Sequence, residues 1–336
     1  MITKLRGEEY IMHRHEKNPI ITNSDFPLET HAVFNCGQTM YNGKTVLLIA
    51  AFYKTPLKKS RAGIHVAMSD DGINFTINPE PLFTTNYDWH GNCPGEFDRW
   101  VIDPRVTKID DTYYIIRPGQ VGGSGPCGLL YKTKDFETAE FVDCVALPSN
   151  RVPCLFPEKV NGLYVRLDRP YNIHAKEEPE CIPDDDPLRG SIWISYSPDL
   201  VYWGHHRPLL YPESVPYSNW KIGPTSPVKT KDGWLEIIHG VWKEDGDFCY
   251  SIGAILLDLE DPSKVLHVLQ HWILTPTEDY EVYGRVENVV FPCGFIADEE
   301  KDEIKIYYGA ADEHIGLATG KLSELLEALK NSPAPY

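Results

Sequence analysis

Five short stretches of this 336-residue chain place chemically capable side chains within or beside apolar runs. Asp103-Pro104-Arg105 follows Val101-Ile102, and Arg169 closes Val165-Arg166-Leu167-Asp168-Arg169-Pro170. Lys221 sits in Trp220-Lys221-Ile222-Gly223, His239 ends Ile237-Ile238-His239-Gly240, and Asp312 ends Tyr307-Tyr308-Gly309-Ala310-Ala311-Asp312. Three cation-type side chains (Arg169, Lys221, His239) around one pocket would suit a phosphate or another anion. A carboxylic acid beside that pocket could protonate a leaving oxygen. Taken singly, each residue also has a structural use. Asp103 could pair with Arg105, Arg169 with Asp168, Lys221 could be solvated, His239 could be a hydrogen-bonded core histidine, and Asp312 could cap the turn into Glu313-His314. The five stretches act together only if the chain closes on itself.

The elements that would position them read as strands. Candidates are Thr45-Val46-Leu47-Leu48-Ile49, Tyr113-Tyr114-Ile115-Ile116, Tyr164-Val165-Arg166-Leu167, Trp234-Leu235-Glu236-Ile237-Ile238 and Ile304-Lys305-Ile306-Tyr307-Tyr308. Each follows a polar turn (Asn42-Gly43, Asp110-Asp111, Asn161-Gly162, Asp232-Gly233, Lys301-Asp302), the usual hairpin signal. Four are followed by a second short strand ending in an acidic turn, at Ser69-Asp70-Asp71-Gly72, Thr133-Lys134-Asp135-Phe136, Ser197-Pro198-Asp199-Leu200 and Asp258-Leu259-Glu260-Asp261. The unit recurs at roughly 50–70 residues, close to one four-stranded blade plus loops. The chain is therefore expected to be all-β, a five-bladed β-propeller with its site at the channel mouth. A pair of β-sandwiches is the competing architecture. The one clear helix is expected at about 323–331, capped by Ser323 with Leu325, Leu326 and Leu329 on one face. No linker is evident, so 1–336 reads as a single catalytic domain with its propeller core at about 18–322. The acidic, Pro-rich run 175–189 reads as a surface loop.

Composition narrows the partners. Lys and Arg number 32 against 49 Asp and Glu, a formal charge of −17. The densest basic group, at 54–61, holds four cations, which argues against nucleic acid, and the acidity disfavours anionic membrane surfaces. No apolar run reaches the ~18–20 residues of a membrane helix, and the first residues show no secretory h-region. A cytoplasmic location is expected. The eight cysteines (36, 93, 127, 144, 154, 181, 249, 293) form no CxxC pair, so neither a disulfide framework nor a cysteine metal site is expected. No nucleotide-binding loop is present, and no metal or organic cofactor is expected.

A family resemblance rests on Val33-Phe34-Asn35, Asp103-Pro104-Arg105-Val106, Asn150-Arg151, Leu155-Phe156-Pro157-Glu158-Lys159-Val160-Asn161-Gly162, Arg169-Pro170, Lys221-Ile222-Gly223, His239-Gly240-Val241, Asn288-Val289-Val290-Phe291-Pro292-Cys293-Gly294 and Tyr307-Tyr308-Gly309-Ala310-Ala311-Asp312. Running in order from about residue 18 to about 330, these stretches resemble glycoside hydrolase family 130, the β-mannoside phosphorylases and related mannosidases. The resemblance implies a five-bladed propeller. It also implies inverting phosphorolysis, in which inorganic phosphate as co-substrate attacks a β-mannoside and gives α-mannose 1-phosphate. Asp103 is then the general acid, thought to act through a sugar hydroxyl. Arg151, Arg169, Lys221, His239 and Tyr250 form the phosphate cradle. Asn35 and Asp312 contact the mannosyl ring, and Arg105, grouped with them, is expected from its spacing to hold Asp103 by an ion pair. The implied partners are a β-mannoside oligosaccharide, phosphate and further copies of the chain.

Two departures stand out. Many phosphorylases of this family place a phosphate-side Arg at the end of the first inner strand. That strand is taken here as Leu47-Leu48-Ile49-Ala50-Ala51-Phe52, which has no cation, and Arg61 in the following loop is the candidate substitute. Cys36 follows Asn35 where Ser is frequent, and is expected to be a small buried thiol. Hydrolysis by water within the same family is the first alternative, with Glu96 and Glu158 as the carboxylates to watch. A non-catalytic glycan-binding propeller using Tyr87, Trp89, Trp100, Trp220 and Trp242 is the second.

Overall fold

The computed structural model describes residues 10–57, 60–84, 101–121, 124–170 and 190–335. Tyr87, Trp89, Glu96, Trp100 and the run 175–189 lie outside the described residues. The first element among the described residues is a two-residue strand, β1 (His13–Arg14), and one antiparallel sheet after another follows. The first blade is β2 (Thr30–Tyr41), β3 (Lys44–Leu57), β4 (Ser60–Ser69) and β5 (Thr76–Ile77), with β6 (Phe83–Thr84) also on β4. The second is β7 (Arg105–Ile109), β8 (Thr112–Val121), β9 (Ser124–Thr133) and β10 (Glu140–Ala146). The third is β11 (Cys154–Leu155), β12 (Tyr164–Asp168), β13 (Ile192–Ser197) and β14 (Gly204–Leu210). The fourth is β15 (Lys221–Pro224), β16 (Val228–Thr230), β17 (Gly233–Glu244), β18 (Asp247–Leu257) and β19 (Val265–Val268), with β15 and β16 both on β17. A short helix α1 (Asp279–Val282) leads to the fifth blade, β20 (Val290–Pro292), β21 (Ile296–Asp298), β22 (Glu303–Ala310) and β23 (His314–Gly320), before the helix α2 (Leu322–Lys330).

The five-bladed propeller expected from the repeats is what the chain forms. Its ring is closed by β1, which pairs antiparallel with β23 as the outer strand of the fifth blade. Arg14 fixes that closure: its Nε and Nη2 each donate at 2.8 Å to the two oxygens of the buried Glu281, and Nη2 also reaches the Thr275 carbonyl at 2.7 Å. Tyr308 Oη donates to the same carboxylate at 2.7 Å.

The apolar runs are continuous rather than alternating because the second strand of each blade is covered on both faces. On β3, Val46 and Leu48 pack against Val106, Ile115 and Leu129 of the second blade, while Leu47, Ile49 and Ala51 pack against Tyr307, Ile315 and Leu317 of the fifth. Equivalent clusters join blades two and three (Ile116 and Leu130 with Leu155 and Leu200), three and four (Leu167 and Ile194 with Trp234 and Ile238), and four and five (Ile237 and Ala254 with Ile306 and Tyr308). The hydrophobic core is thus five wedges between blades, leaving the inner strands to line the axis.

The acidic turns share one device. Asp71, Asp135 and Asp199 each accept two backbone N–H groups from residues two and three positions on. The preceding Ser69, Thr133 or Ser197 hydroxyl accepts the N–H of Gly72, Phe136 or Leu200. These backbone donors pull all three carboxyls below their ordinary value.

Two expectations about elements need correction. Leu47 to Phe52 lie on β3, the second strand of the first blade, and the inner strand is β2. Helix α2 starts at Leu322 with Lys321 as its N-cap, so Ser323 is not the cap. Instead the Asp302 carboxylate accepts both the Ser323 N–H and its hydroxyl at 2.7 Å, which satisfies an otherwise orphaned helix donor from a neighbouring hairpin. The apolar face is buried as read, with Leu322, Leu325, Leu326 and Leu329 against blades four and five.

Candidate active site

Asp103 sits at the entry to the inner strand β7 with φ of 49°, Asn35 lies on β2 with φ of 46°, and Asp312 follows β22 with φ of 51°. This left-handed region is uncommon outside glycine, and Asn and Asp are the types that tolerate it best. The three conformations turn three polar side chains toward one another. Asn35 Nδ2 donates to Asp103 Oδ1 at 2.8 Å and approaches Asp312 Oδ1 at 3.5 Å. Gly309 makes room for this: a Cβ there would run into the Asn35 carboxamide.

The other oxygen of Asp103 belongs to Arg151, just upstream of β11. Its Nε and Nη2 reach Asp103 Oδ2 at 2.9 and 2.7 Å. Arg105 does not make the expected ion pair with the Asp103 side chain. Its Nη1 donates to the Asp103 main-chain carbonyl at 3.0 Å, because the left-handed turn at Asp103 breaks the strand alternation that would put both side chains on one face. Burial alone would raise the Asp103 pKa, but the charges of Arg151 and Arg105 and the Asn35 amide outweigh it and hold the carboxyl below its ordinary value. Asp312 goes the other way. Desolvation, with repulsion from Asp103, pushes it up to about 6 against the pull of Arg151 and Arg285.

The basic group lies alongside. Arg169, at the end of β12, is buried and its Nη1 is 3.0 Å from His239 Nε2 on β17. Arginine can only donate, so Nε2 accepts and the proton is on Nδ1, a buried donor that meets no hydrogen-bond partner among the described residues. Burial, then the charges of Arg169, Lys221, Arg105 and Arg151, push the imidazole pKa well down, so His239 is neutral. Lys221 Nζ lies 5.1 Å from the centre of the Tyr250 ring, and Tyr250 stacks on His239 at 6.3 Å. Phe291 completes the floor, 4.6 Å from His239 and 5.5 Å below the Arg105 guanidinium. Asp103, Arg105, Phe291, His239 and Arg169 therefore form one chain of contacts; Asn35 and Arg151 join it through Asp103, Asp312 through Asn35, Tyr250 through His239 and Lys221 through Tyr250.

This is a carboxyl pair sharing one amide on one side, and a group of basic side chains on the other. The family model described as beta-1,4-mannooligosaccharide phosphorylase matches residues 8–331. The chain belongs to glycoside hydrolase family 130. It is 32% identical over 324 residues to the beta-1,4-mannooligosaccharide phosphorylase of Ruminococcus albus, covering 96% of this chain and 91% of that protein. It is 37% identical over 308 residues to a beta-1,2-mannobiose phosphorylase of a Thermoanaerobacter species, covering 86% and 90%. The solved beta-1,2-mannobiose phosphorylase of Listeria innocua, in complex with beta-1,2-mannobiose, superposes with a TM-score of 0.80 at 29% identity, covering 96% of this chain and all 100% of that one.

Within this family-130 site, three residues had been given no role from the sequence. Arg285, between α1 and β20, lies 4.1 Å from the Phe52 ring centre and 5.8 Å from that of Phe34, and its charge reaches Asp312. It brings a guanidinium to the strand end where none was legible, whereas Arg61 is exposed on β4 rather than in a loop. Glu236, fully buried on β17, takes the N–H and hydroxyl of Thr225 and is pushed well up by burial despite Arg105 nearby. Asn150 ties the Arg151 and Arg169 segments together, accepting the Arg169 N–H at 3.2 Å and donating to Asp168 at 2.8 Å. Cys36 is a buried thiol 3.7 Å from the Tyr307 carbonyl. Glu158 is half-exposed and bridged to Lys229 at 2.6 Å, away from this cluster's contacts. Among the described residues no group of three or more His, Cys, Asp or Glu side chains is placed to hold a metal ion, and no helix is long and apolar enough to cross a membrane.

Proposed function

We propose that the protein is an inverting glycoside phosphorylase that transfers a β-linked mannosyl unit to inorganic phosphate, releasing α-mannose 1-phosphate and a shortened acceptor. The observation that carries this reading is the pairing of one buried acid, Asp103, with a nest containing Arg169, Lys221 and neutral His239. An inverting hydrolase needs a second carboxylate to deprotonate water, whereas phosphate arrives already anionic and needs only to be held. Arg169 offers a planar fork, Lys221 a point charge and His239 an Nδ1–H, a donor set that fits a phosphate dianion. Arg151 adds a third positive side chain at the boundary with the sugar side, and Tyr250 forms the aromatic wall beneath Lys221.

In this reading Asp103 delivers its proton through a hydroxyl of the mannosyl ring to the departing oxygen, while the phosphate oxygen attacks C1 from the opposite face. Asn35 and Asp312 hold the ring, with the Asn35 amide shared between the two carboxyls. Arg105 supports the Asp103 main chain and adds positive charge beneath it. Phosphate is the co-substrate, and the substrate class is the β-mannosides. The test is a panel of β-linked mannobioses assayed with and without phosphate. Turnover is expected to require phosphate, and phosphate-independent release of mannose at the same rate would replace this reading with hydrolysis.

A further inference from the structure

The general acid proposed above is held in a way that opposes its task. Both contacts from Arg151 fall on the single oxygen Oδ2 of Asp103, at 2.9 and 2.7 Å, while Asn35 occupies Oδ1. A carboxylate gripped by a guanidinium stays ionised, and an ionised carboxylate has no proton to give. The two partners differ in access: the Asp103 side chain is fully buried, whereas Arg151 is 25% exposed. Arg151 also adjoins Asn150, which ties its segment to that of Arg169, and its charge reaches His239 in the anion nest. The same guanidinium thus stands between two anionic positions.

We infer that Arg151 is a positioning residue that changes partner during turnover, leaving the Asp103 carboxylate for the incoming phosphate and so allowing Asp103 to take up the proton it will donate. This rests on the phosphorylase reading above and deepens it. A phosphate dianion offers a guanidinium two oxygens and twice the charge of a carboxylate, so the exchange favours phosphate. Once Arg151 turns away, the groups facing Asp103 are Arg105 from β7, Asn35 from β2, Asp312 beyond β22 and the Cys293 thiol after β20. Burial and the repulsion between Asp103 and Asp312 then have only Arg105 and the Asn35 amide against them. The carboxyl pair behaves as a coupled unit whose one proton is directed by the position of Arg151. The balance closes: a proton from solvent passes to Asp103, then through the sugar hydroxyl to the acceptor oxygen. The C1–O bond to phosphate forms as the C1–O bond to the acceptor breaks. The device would link acid strength to the presence of the nucleophile and suppress cleavage by water when phosphate is absent.

Infrared difference spectroscopy on the intact protein near neutral pH tests this, with inorganic phosphate or sulfate, a dianion that does not titrate there, as the probe. Adding either anion to the native protein should remove a carboxylate signal and produce the carbonyl stretch of a protonated carboxyl, and Asp103→Asn should abolish both changes. In Arg151→Gln the protonated carboxyl should be present before any anion is added and should not change afterwards. The KM for phosphate of that variant should rise about tenfold to a hundredfold, from loss of a charge-assisted contact. Arg151→Lys, which keeps the charge, should fold and retain a protonation change. Phosphate consumed in turnover while Asp103 remains a carboxylate in its presence would overturn the exchange and leave the phosphorylase reading intact. Phosphate neither bound nor consumed would remove both.

Discussion

Gly223 offers a sharp test of the anion nest because it is outside any charged role yet fixes the geometry of two members. It lies opposite His239 in the ladder between β15 and β17. A Cβ at this position would collide with the imidazole Cε1, and would stand 2.7 Å from Nε2 and 3.1 Å from Arg169 Nη1. The ring has nowhere to retreat, with Phe291 at 4.6 Å and Tyr250 stacked beyond it. Gly223→Ala therefore forces the Arg169–His239 contact apart. Overpacking of this kind costs about 1–3 kcal/mol of stability. Losing a hydrogen bond to a charged donor removes about 1.5–3 kcal/mol from whatever the pair holds. If that pair holds phosphate, its KM should rise about tenfold to a hundredfold, while the KM for the mannoside stays near the native value. Initial rates over a phosphate series at saturating mannoside read this directly, with a calorimetric melt run alongside. A lowered melting temperature with an unchanged KM for phosphate would show that His239 and Arg169 pack the core and do not face the nucleophile.

Asp103→Asn should lower turnover of a β-mannobiose by about 10²–10⁴-fold with the melting transition retained, and full activity would remove Asp103 as the acid. Asp312 carries a stability signature. Its folded pKa of about 6 lies above the ordinary 3.8, so its favourable contribution is complete below the lower value and is lost as pH rises through the upper one. The two-unit gap corresponds to about 3 kcal/mol. Asp312→Asn, which cannot ionise, should gain about that much relative to the native protein between pH 4 and 7 in denaturant titrations; a flat difference would contradict the burial argument. Arg14→Met strands the buried Glu281 charge and should destabilise the closed ring by about 3–5 kcal/mol, leaving kcat of the folded fraction unchanged at low temperature. A melting curve equal to the native one would show that β1 does not secure the fifth blade.

Much of the architecture was legible because the second strands are doubly buried and announce themselves as apolar runs behind Asn-Gly and Asp-containing turns. Asn42-Gly43 and Asn161-Gly162 take the paired positive φ values such hairpins need. The closure was not legible. A two-residue strand such as His13–Arg14 has no periodicity, and its partner lies some three hundred residues away in the chain. The inner strands were misplaced by one position in the first blade, since β2 mixes polar Asn35 and Gln38 with apolar neighbours and looked less like a strand than β3 did.

At the site, residue types were readable but pairings were not. Spacing suggested Asp103 with Arg105, and a left-handed backbone at Asp103 handed the carboxylate to Arg151, forty-eight residues on. Arg285 lies in a run, Tyr283-Gly284-Arg285-Val286-Glu287, with no pattern to set it apart. It becomes a site residue only by stacking on Phe52 from another blade. Glu236 did carry a signal, a carboxyl inside Trp234-Leu235-Glu236-Ile237-Ile238. A buried strand keeps such a group only when another element supplies donors, as Thr225 does.

The central claim is that phosphate, not water, takes the mannosyl unit. Phosphorus NMR of the native protein turning over a β-mannobiose in phosphate buffer measures this without labels or coupling enzymes. The account predicts a growing α-mannose 1-phosphate signal equal to the inorganic phosphate lost and to the acceptor released. Free mannose accumulating beside an undiminished phosphate signal would contradict it.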